Sequence, residues 1–218
     1  MSTMFKDCYL IEFIDLSKFD TSKVTTMSEL FSGCNSVESL GINNLNTKNC
    51  LDMSYMFSGC TVLSSLDLTN FDTSKVTSML DMFNNCISLK TLNIKSFDTK
   101  EVLDMSGMFC GCEKLNSVDI SKFNTEKVTD LSKMFQSCKS LTNLDFSNFN
   151  TKNVVDMYSM FEQCNSLVSL DLSTFNTEQI SDMSKLFDHC MKLTSLNIGS
   201  FRTGNVVDMY HMFDTCLL

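Results

Sequence analysis

The sequence predicts an α/β solenoid of about eight 26-residue coils, each contributing one short parallel strand and one short helix. Three observations carry this prediction. Nine cysteines, Cys8, Cys34, Cys60, Cys86, Cys112, Cys138, Cys164, Cys190 and Cys216, stand 26 residues apart with no insertion or deletion. Three residues before each stands a phenylalanine, from Phe5 and Phe31 to Phe213. Within each unit the spacing of apolar residues then changes from a helical to a strand-like period. Self-similarity at a fixed period of this length is the mark of a repeat architecture in which one unit makes one coil.

The helix comes first in the unit. In Val76, Met79, Met82, Phe83 and Cys86 the apolar positions fall on one helical face. The residue before the first Met is Thr26, Asp52, Ser78, Asp104, Asp130, Asp156, Asp182 or Asp208. Each is a good N-cap, because its side-chain oxygen accepts from free amides of the first turn. A helix of about two turns is therefore expected from Met to Cys, interrupted near its end by turn-prone residues such as Gly33, Gly59 and Gly111. The strand follows in Leu-x-x-Leu-Asp-Leu segments such as Leu63–Leu68 and Leu167–Leu172, whose last three residues alternate in, out, in. After the strand comes a complete threonine column, Thr21, Thr47, Thr73, Thr99, Thr125, Thr151, Thr177 and Thr203, expected to turn the chain through side-chain hydrogen bonds. No unit can bury its apolar face alone. Stacking at about 4.8 Å per coil does so.

Composition fits one solenoid over residues 1–218. With no Pro and only 7 Gly, linkers and glycine-rich phosphate cradles find no support, and nothing marks a domain boundary. A net charge of -9 without a basic stripe argues against nucleic-acid binding. No apolar run reaches the ~18–20 residues of a membrane span, and the first ten residues lack the pattern of a signal peptide. Met1, Met4, Phe5 and Cys8 already stand in register, and neither end carries a polar capping unit. The expectation is a segment of a longer array, or end-to-end self-association.

The unit F-[DN]-T-x-x-V-x-x-M-x-x-M-F-x-x-C-x-x-L-x-x-L-D-L-S, matched along essentially the whole chain, resembles the BspA-like class of leucine-rich repeats, including the repeats of surface lipoproteins in wall-less bacteria. The resemblance implies a leucine-rich-repeat solenoid, display at the cell surface, and adhesion or binding of protein and host matrix. It transfers no catalytic residue.

Several columns invite chemistry. Nine cysteines in one row point the same way, so adjacent thiolates cannot easily surround a tetrahedral metal, and their parallel Cβ vectors suit a disulfide poorly. They fit better as buried free thiols. Cys110 lies outside the column at a variable position and is the expected reactive thiol. Methionines such as Met53 and Met157 suggest soft-metal binding, but Leu30, Leu131 and Leu186 occupy the same columns and cannot bind a metal. The threonine column suggests an ice-binding array, which the varying residue beside it disfavours. His189 and His211 stand in variable columns outside any catalytic constellation.

The strand face is the stronger candidate. Its central column holds Asp67, Asn93, Asp119, Asp145 and Asp171, outward between two buried aliphatics. Ser65, Thr91, Ser117, Asn143 and Ser169 flank it on one side, and Thr69, Ser121, Ser147 and Ser173 on the other. Stacked carboxylates repel in water, a strain that cations, Ca²⁺ among them, or neighbouring hydroxyls relieve. The expected function is a non-enzymatic binding or adhesion module, without catalytic residue, metal or cofactor, whose strand face takes a protein or glycan partner through many equivalent weak contacts. The alternative is a structural spacer that holds other parts apart and binds nothing.

Overall fold

The computed structural model describes residues 1–216. Each 26-residue unit forms one coil; coil 1 spans 1–26, coil 8 spans 183–208, and residues 209–216 open a ninth. Six three-residue strands are present: β1 (Phe13–Asp15), β2 (Ser39–Gly41), β3 (Ser65–Asp67), β4 (Thr91–Asn93), β5 (Ser169–Asp171) and β6 (Ser195–Asn197). They pair in parallel as β1–β2, β3–β4 and β5–β6. Leu66 lies opposite Leu92 and Leu170 opposite Leu196, so strand register and sequence repeat coincide. In β1, β3 and β5 the middle residue is buried and the outer two exposed, as alternation demands. Residues 117–119 and 143–145 form no strand, contrary to the expectation of one in every coil.

The expected helix is absent from every coil among the described residues. Alternate amides of the Met-to-Cys segment bond to the next coil instead. In coil 2 the N–H groups of Glu29, Phe31 and Gly33 donate to the carbonyls of Ser54, Met56 and Ser58 at 2.7–2.9 Å. The amides between them close local turns, Leu30 to Met27, Ser32 to Glu29 and Cys34 to Phe31. This pattern needs two left-handed residues per coil, four apart, supplied by pairs such as Glu29 and Gly33, Tyr55 and Gly59, or Lys133 and Ser137. A left-handed L-residue costs about 1–2 kcal/mol. An isolated two-turn helix is itself marginal, and coil-to-coil bonds, repeated at every level, win. At Gly33 a side chain would also press on Asp7, whose carboxylate would have to move. The residues expected to cap helices do accept amides: Asp52 Oδ1 from Ser54 at 2.9 Å and Asp130 Oδ1 from Ser132 at 2.8 Å, but at the head of a turn. The same column forms parallel bridges from Thr26 through Asp52, Ser78, Asp104 and Asp130 to Asp156, and again from Asp182 to Asp208.

The threonine column works between coils rather than within one. Thr125 Oγ1 donates to Asn150 O at 3.0 Å and accepts from Asn150 N–H at 2.8 Å. The pair recurs from Thr21 with Asn46 to Thr177 with Arg202. The turn itself belongs to the preceding Asp or Asn, as where Asp72 Oδ1 accepts from Ser74 N–H at 3.0 Å. The threonines from Thr21 to Thr177 are buried, so they present no array to solvent.

Inside, the phenylalanines of the repeat stack from Phe5 to Phe213 with ring centroids 5.3–6.1 Å apart. Met, Leu and Val columns pack around them. Each column thiol from Cys34 to Cys216 donates to the carbonyl of a phenylalanine one coil back, as Cys138 does to Phe109 O at 3.1 Å. All the described cysteines are free. Burial pushes the Cys86, Cys112, Cys138 and Cys164 thiols well above their usual range.

Candidate functional site: the strand face

Ser65, Asp67, Thr69 and Thr91 are exposed, and Ser65 and Asp67 sit directly opposite Thr91 and Asn93 in the β3–β4 pair. Ser169, Asp171 and Ser173 are likewise exposed on β5 and just beyond it. Ser117, Asp119, Asn143, Asp145 and Ser147 face solvent too, with Ser121 half-buried, but from irregular chain rather than from strands. The columns predicted from sequence therefore share one side of the solenoid. They do not form one continuous sheet.

The carboxylates of this face are fixed by their own turns. Asp67 Oδ1 accepts from Thr69 N–H at 3.0 Å and from Thr69 Oγ1 at 2.8 Å. Asp119 Oδ1 takes the Ser121 amide at 3.2 Å and hydroxyl at 2.7 Å. Asp145 and Asp171 accept from the amides of Ser147 and Ser173, each at 2.9 Å. These bonds stabilise the ionised form and hold all four carboxyls below the usual range, chiefly through Ser147, Thr69 and Ser173 amides and the Ser121 hydroxyl. In each case the bond within the turn engages Oδ1. Asn93 differs: its Oδ1 is buried and has no hydrogen-bond partner.

Shallow depressions follow this side. One of about 280 Å³ spans Ser65, Asp67, Thr91 and Asn93. A smaller one of about 160 Å³ lies between coils 6 and 7 at Leu144, Asp145, Phe146 and Asp171. The adjoining edge carries further polar hollows that the sequence reasoning did not single out, at Asn124, Glu126 and Asn150 and at Asn176, Glu178 and Arg202. The Asx residue before each column threonine from Thr21 to Thr177 was the available signal, since it sets the turn that shapes them.

Other candidates separate from this face. Cys110, expected to be exposed and reactive, is half-buried with its Sγ 3.4 Å from Gln136 Oε1, and burial followed by the Asp81 charge pushes its thiol up to about 11. His189 and His211 each turn Nδ1 to a carboxylate, Asp188 at 2.5 Å and Asp214 at 2.6 Å. Among the described residues no three His, Cys, Asp or Glu side chains are grouped as metal ligands would be. Nor is any helix there long and apolar enough to cross a membrane.

The family model described as "Mycoplasma protein of unknown function, DUF285" matches residues 1–117, 81–195 and 142–217. The chain belongs to this family. No curated protein matches it. Among solved structures it is similar to a leucine-rich repeat protein of T. pallidum, at 20% identity and a TM-score of 0.42, covering 66% of this chain and 60% of that one. A leucine-rich repeat protein of Bacteroides ovatus matches at 18% identity and a TM-score of 0.42, over 99% of this chain and 67% of its own. One from Eubacterium ventriosum matches at 13% identity and a TM-score of 0.44, over 98% and 79%. The DUF285 chain thus spans less than two thirds of the T. pallidum protein.

Proposed function

We propose that this DUF285 chain is a non-enzymatic interaction module, displayed at the cell surface, whose strand face binds a protein or glycan partner. Its coils are, on this proposal, of the BspA-like leucine-rich-repeat class, supported by the 26-residue unit and its Phe, Thr and Cys columns. The observation that carries the function is the fixed row of exposed carboxylates. Asp67, Asp119, Asp145 and Asp171 recur at coil spacing, each oriented by its own turn before any partner arrives. Pre-orientation removes part of the ordering cost of binding, and repetition multiplies weak contacts. The test is charge reversal at these four positions to Lys, with binding measured to host cells and to immobilised matrix protein or glycan. Loss of binding by a variant with an unaltered circular dichroism spectrum is expected; unchanged binding would leave the chain a spacer.

A further inference from the structure

The coil-to-coil interface is not uniform. Coils 1–2, 3–4 and 7–8 are joined both by a strand pair and by a bridge in the Thr26–Asp208 column, while 2–3, 4–5 and 5–6 keep the bridge alone. Between coils 6 and 7, among the described residues, neither is present: 143–145 does not pair with β5, and Asp156 does not bridge Asp182.

A core residue distinguishes this seam. The position just after the strand is Leu16, Ile42, Leu68, Ile94, Ile120, Leu172 or Ile198, but Phe146 in coil 6. Phe146 is buried and stands edge-on to Phe135 of its own coil at 6.0 Å and to Phe161 and Phe175 of coil 7 at 5.6 and 5.3 Å. A close-packed interior has no spare room for the extra ring and passes the volume on as separation. The Phe135–Phe161 stack is accordingly 6.1 Å, against 5.3–5.9 Å elsewhere in the column. On the strand side the seam opens as the cleft of about 160 Å³. Half-buried Leu144 and buried Phe146 lie at its floor, and Asp145 and Asp171, one from each coil, line it with Ser147 and Ser173.

We infer that this cleft is an anchor pocket for one basic side chain, arginine before lysine, presented by a protein partner. The inference rests on the strand-face reading and names the partner chemistry there. The cleft is smaller than the ~300–1,000 Å³ of small-molecule sites, which suits a single long side chain. Half-buried Leu144 offers apolar surface to its methylene stem. Asp145 and Asp171 flank the charged end, and a planar guanidinium with several donors satisfies two carboxylates better than an ammonium does. The chain's charge of -9 steers a basic partner toward it.

The test titrates the ¹⁵N-labelled chain with Nα-acetyl-arginine methylamide, using the neutral citrulline analogue as control. Saturable shifts confined to amides around Leu144–Ser147 and Asp171–Thr174 are expected, absent with citrulline and weakened at least about tenfold in Asp145→Asn/Asp171→Asn. Phe146→Leu, which removes the wedge, should abolish them while the rest of the spectrum is retained. Equal shifts around Asp15, Asp67 and Asp119 would overturn the pocket but leave a cation-binding strand face. Equal shifts with citrulline would overturn the role of charge. No shifts would overturn the pocket alone, because the cell-binding experiment decides the strand face separately.

Discussion

Replacing Thr125 tests whether the threonine column holds coils together through its hydroxyl or merely fills space. Thr125 is fully buried, and its Oγ1 serves both backbone groups of Asn150, accepting at 2.8 Å and donating at 3.0 Å. Thr125→Val keeps the shape and removes both bonds. An unpartnered buried polar group costs about 1–3 kcal/mol. The Asn150 side chain is exposed, so water relieves part of that cost, and about 1–3 kcal/mol for the two groups together is the working figure. Thr125→Ser keeps the hydroxyl and loses one methyl, about 1 kcal/mol. Urea unfolding followed by circular dichroism gives the stabilities. Native-state hydrogen exchange at the Asn150 amide then separates the causes, because protection should fall in Thr125→Val and persist in Thr125→Ser. Unchanged Asn150 protection in the valine variant, with serine the more damaging change, would refute the hydrogen-bonded bridge and leave Thr125 a packing residue.

Asp156 and two strand-face aspartates, Asp67 and Asp119, should respond oppositely to acid. Burial, with the Asp130 and Asp182 charges, raises the Asp156 carboxyl against the opposing Tyr158 amide, so the folded state binds its proton more readily than the unfolded chain does. Its favourable contribution is present in acid and lost as pH rises through the raised value. Asp156→Asn should therefore raise Tm at pH 7 by about 1–3 °C and give no gain below the carboxylate range; a lower Tm at pH 7 would contradict this. Asp67 and Asp119 are held low, so their contribution is present above the ordinary carboxylate range and lost as pH falls through the lowered values. Asp67→Asn should lower Tm slightly at pH 7 and match the parent in strong acid, which pH-dependent melting checks. Thiol labelling at pH 8 should be slow for the eight fully buried cysteines, Cys34, Cys50, Cys60, Cys86, Cys112, Cys138, Cys164 and Cys190, and complete only in denaturant. Rapid native labelling of several of these would contradict the thiol-to-carbonyl ladder.

The coil was legible because its determinants repeat at a fixed interval: a Phe, Thr or Cys that stacks on itself must return every 26 residues. The helix was misread because apolar spacing alone does not distinguish a helical face from a run of turns. Both bring Met53, Met56, Phe57 and Cys60 inward. What separates them is where the amides go, and here alternate ones go to the next coil. Left-handed positions at Gly33, Gly59, Gly107 and Gly111 were the visible trace of that choice, while Tyr55 and Lys133 adopt the same conformation with no sign in their chemistry.

The strand face shows the converse. Its outward residues were legible from Leu-Asp-Leu alternation, because period two survives even where no strand forms. Whether neighbouring segments pair does not follow coil separation in the core: coils 5 and 6 stack at 5.3 Å without a strand pair, and coils 1 and 2 pair at 5.9 Å. Asp145 and Asp171 belong to the same column as Asp67 and Asn93, yet they do not stand on strands paired with each other, as Asp67 and Asn93 do. Asp145 feels the charge of Asp119 behind it, in the direction away from the seam. What sets coil 6 apart is Phe146, conservative by hydropathy and larger than the Leu or Ile at this position in coils 1–5, 7 and 8. A repeat that is regular in kind can thus be singular in size at one coil. It is there, rather than along the uniform columns, that a solenoid of near-identical units acquires a distinguishable place.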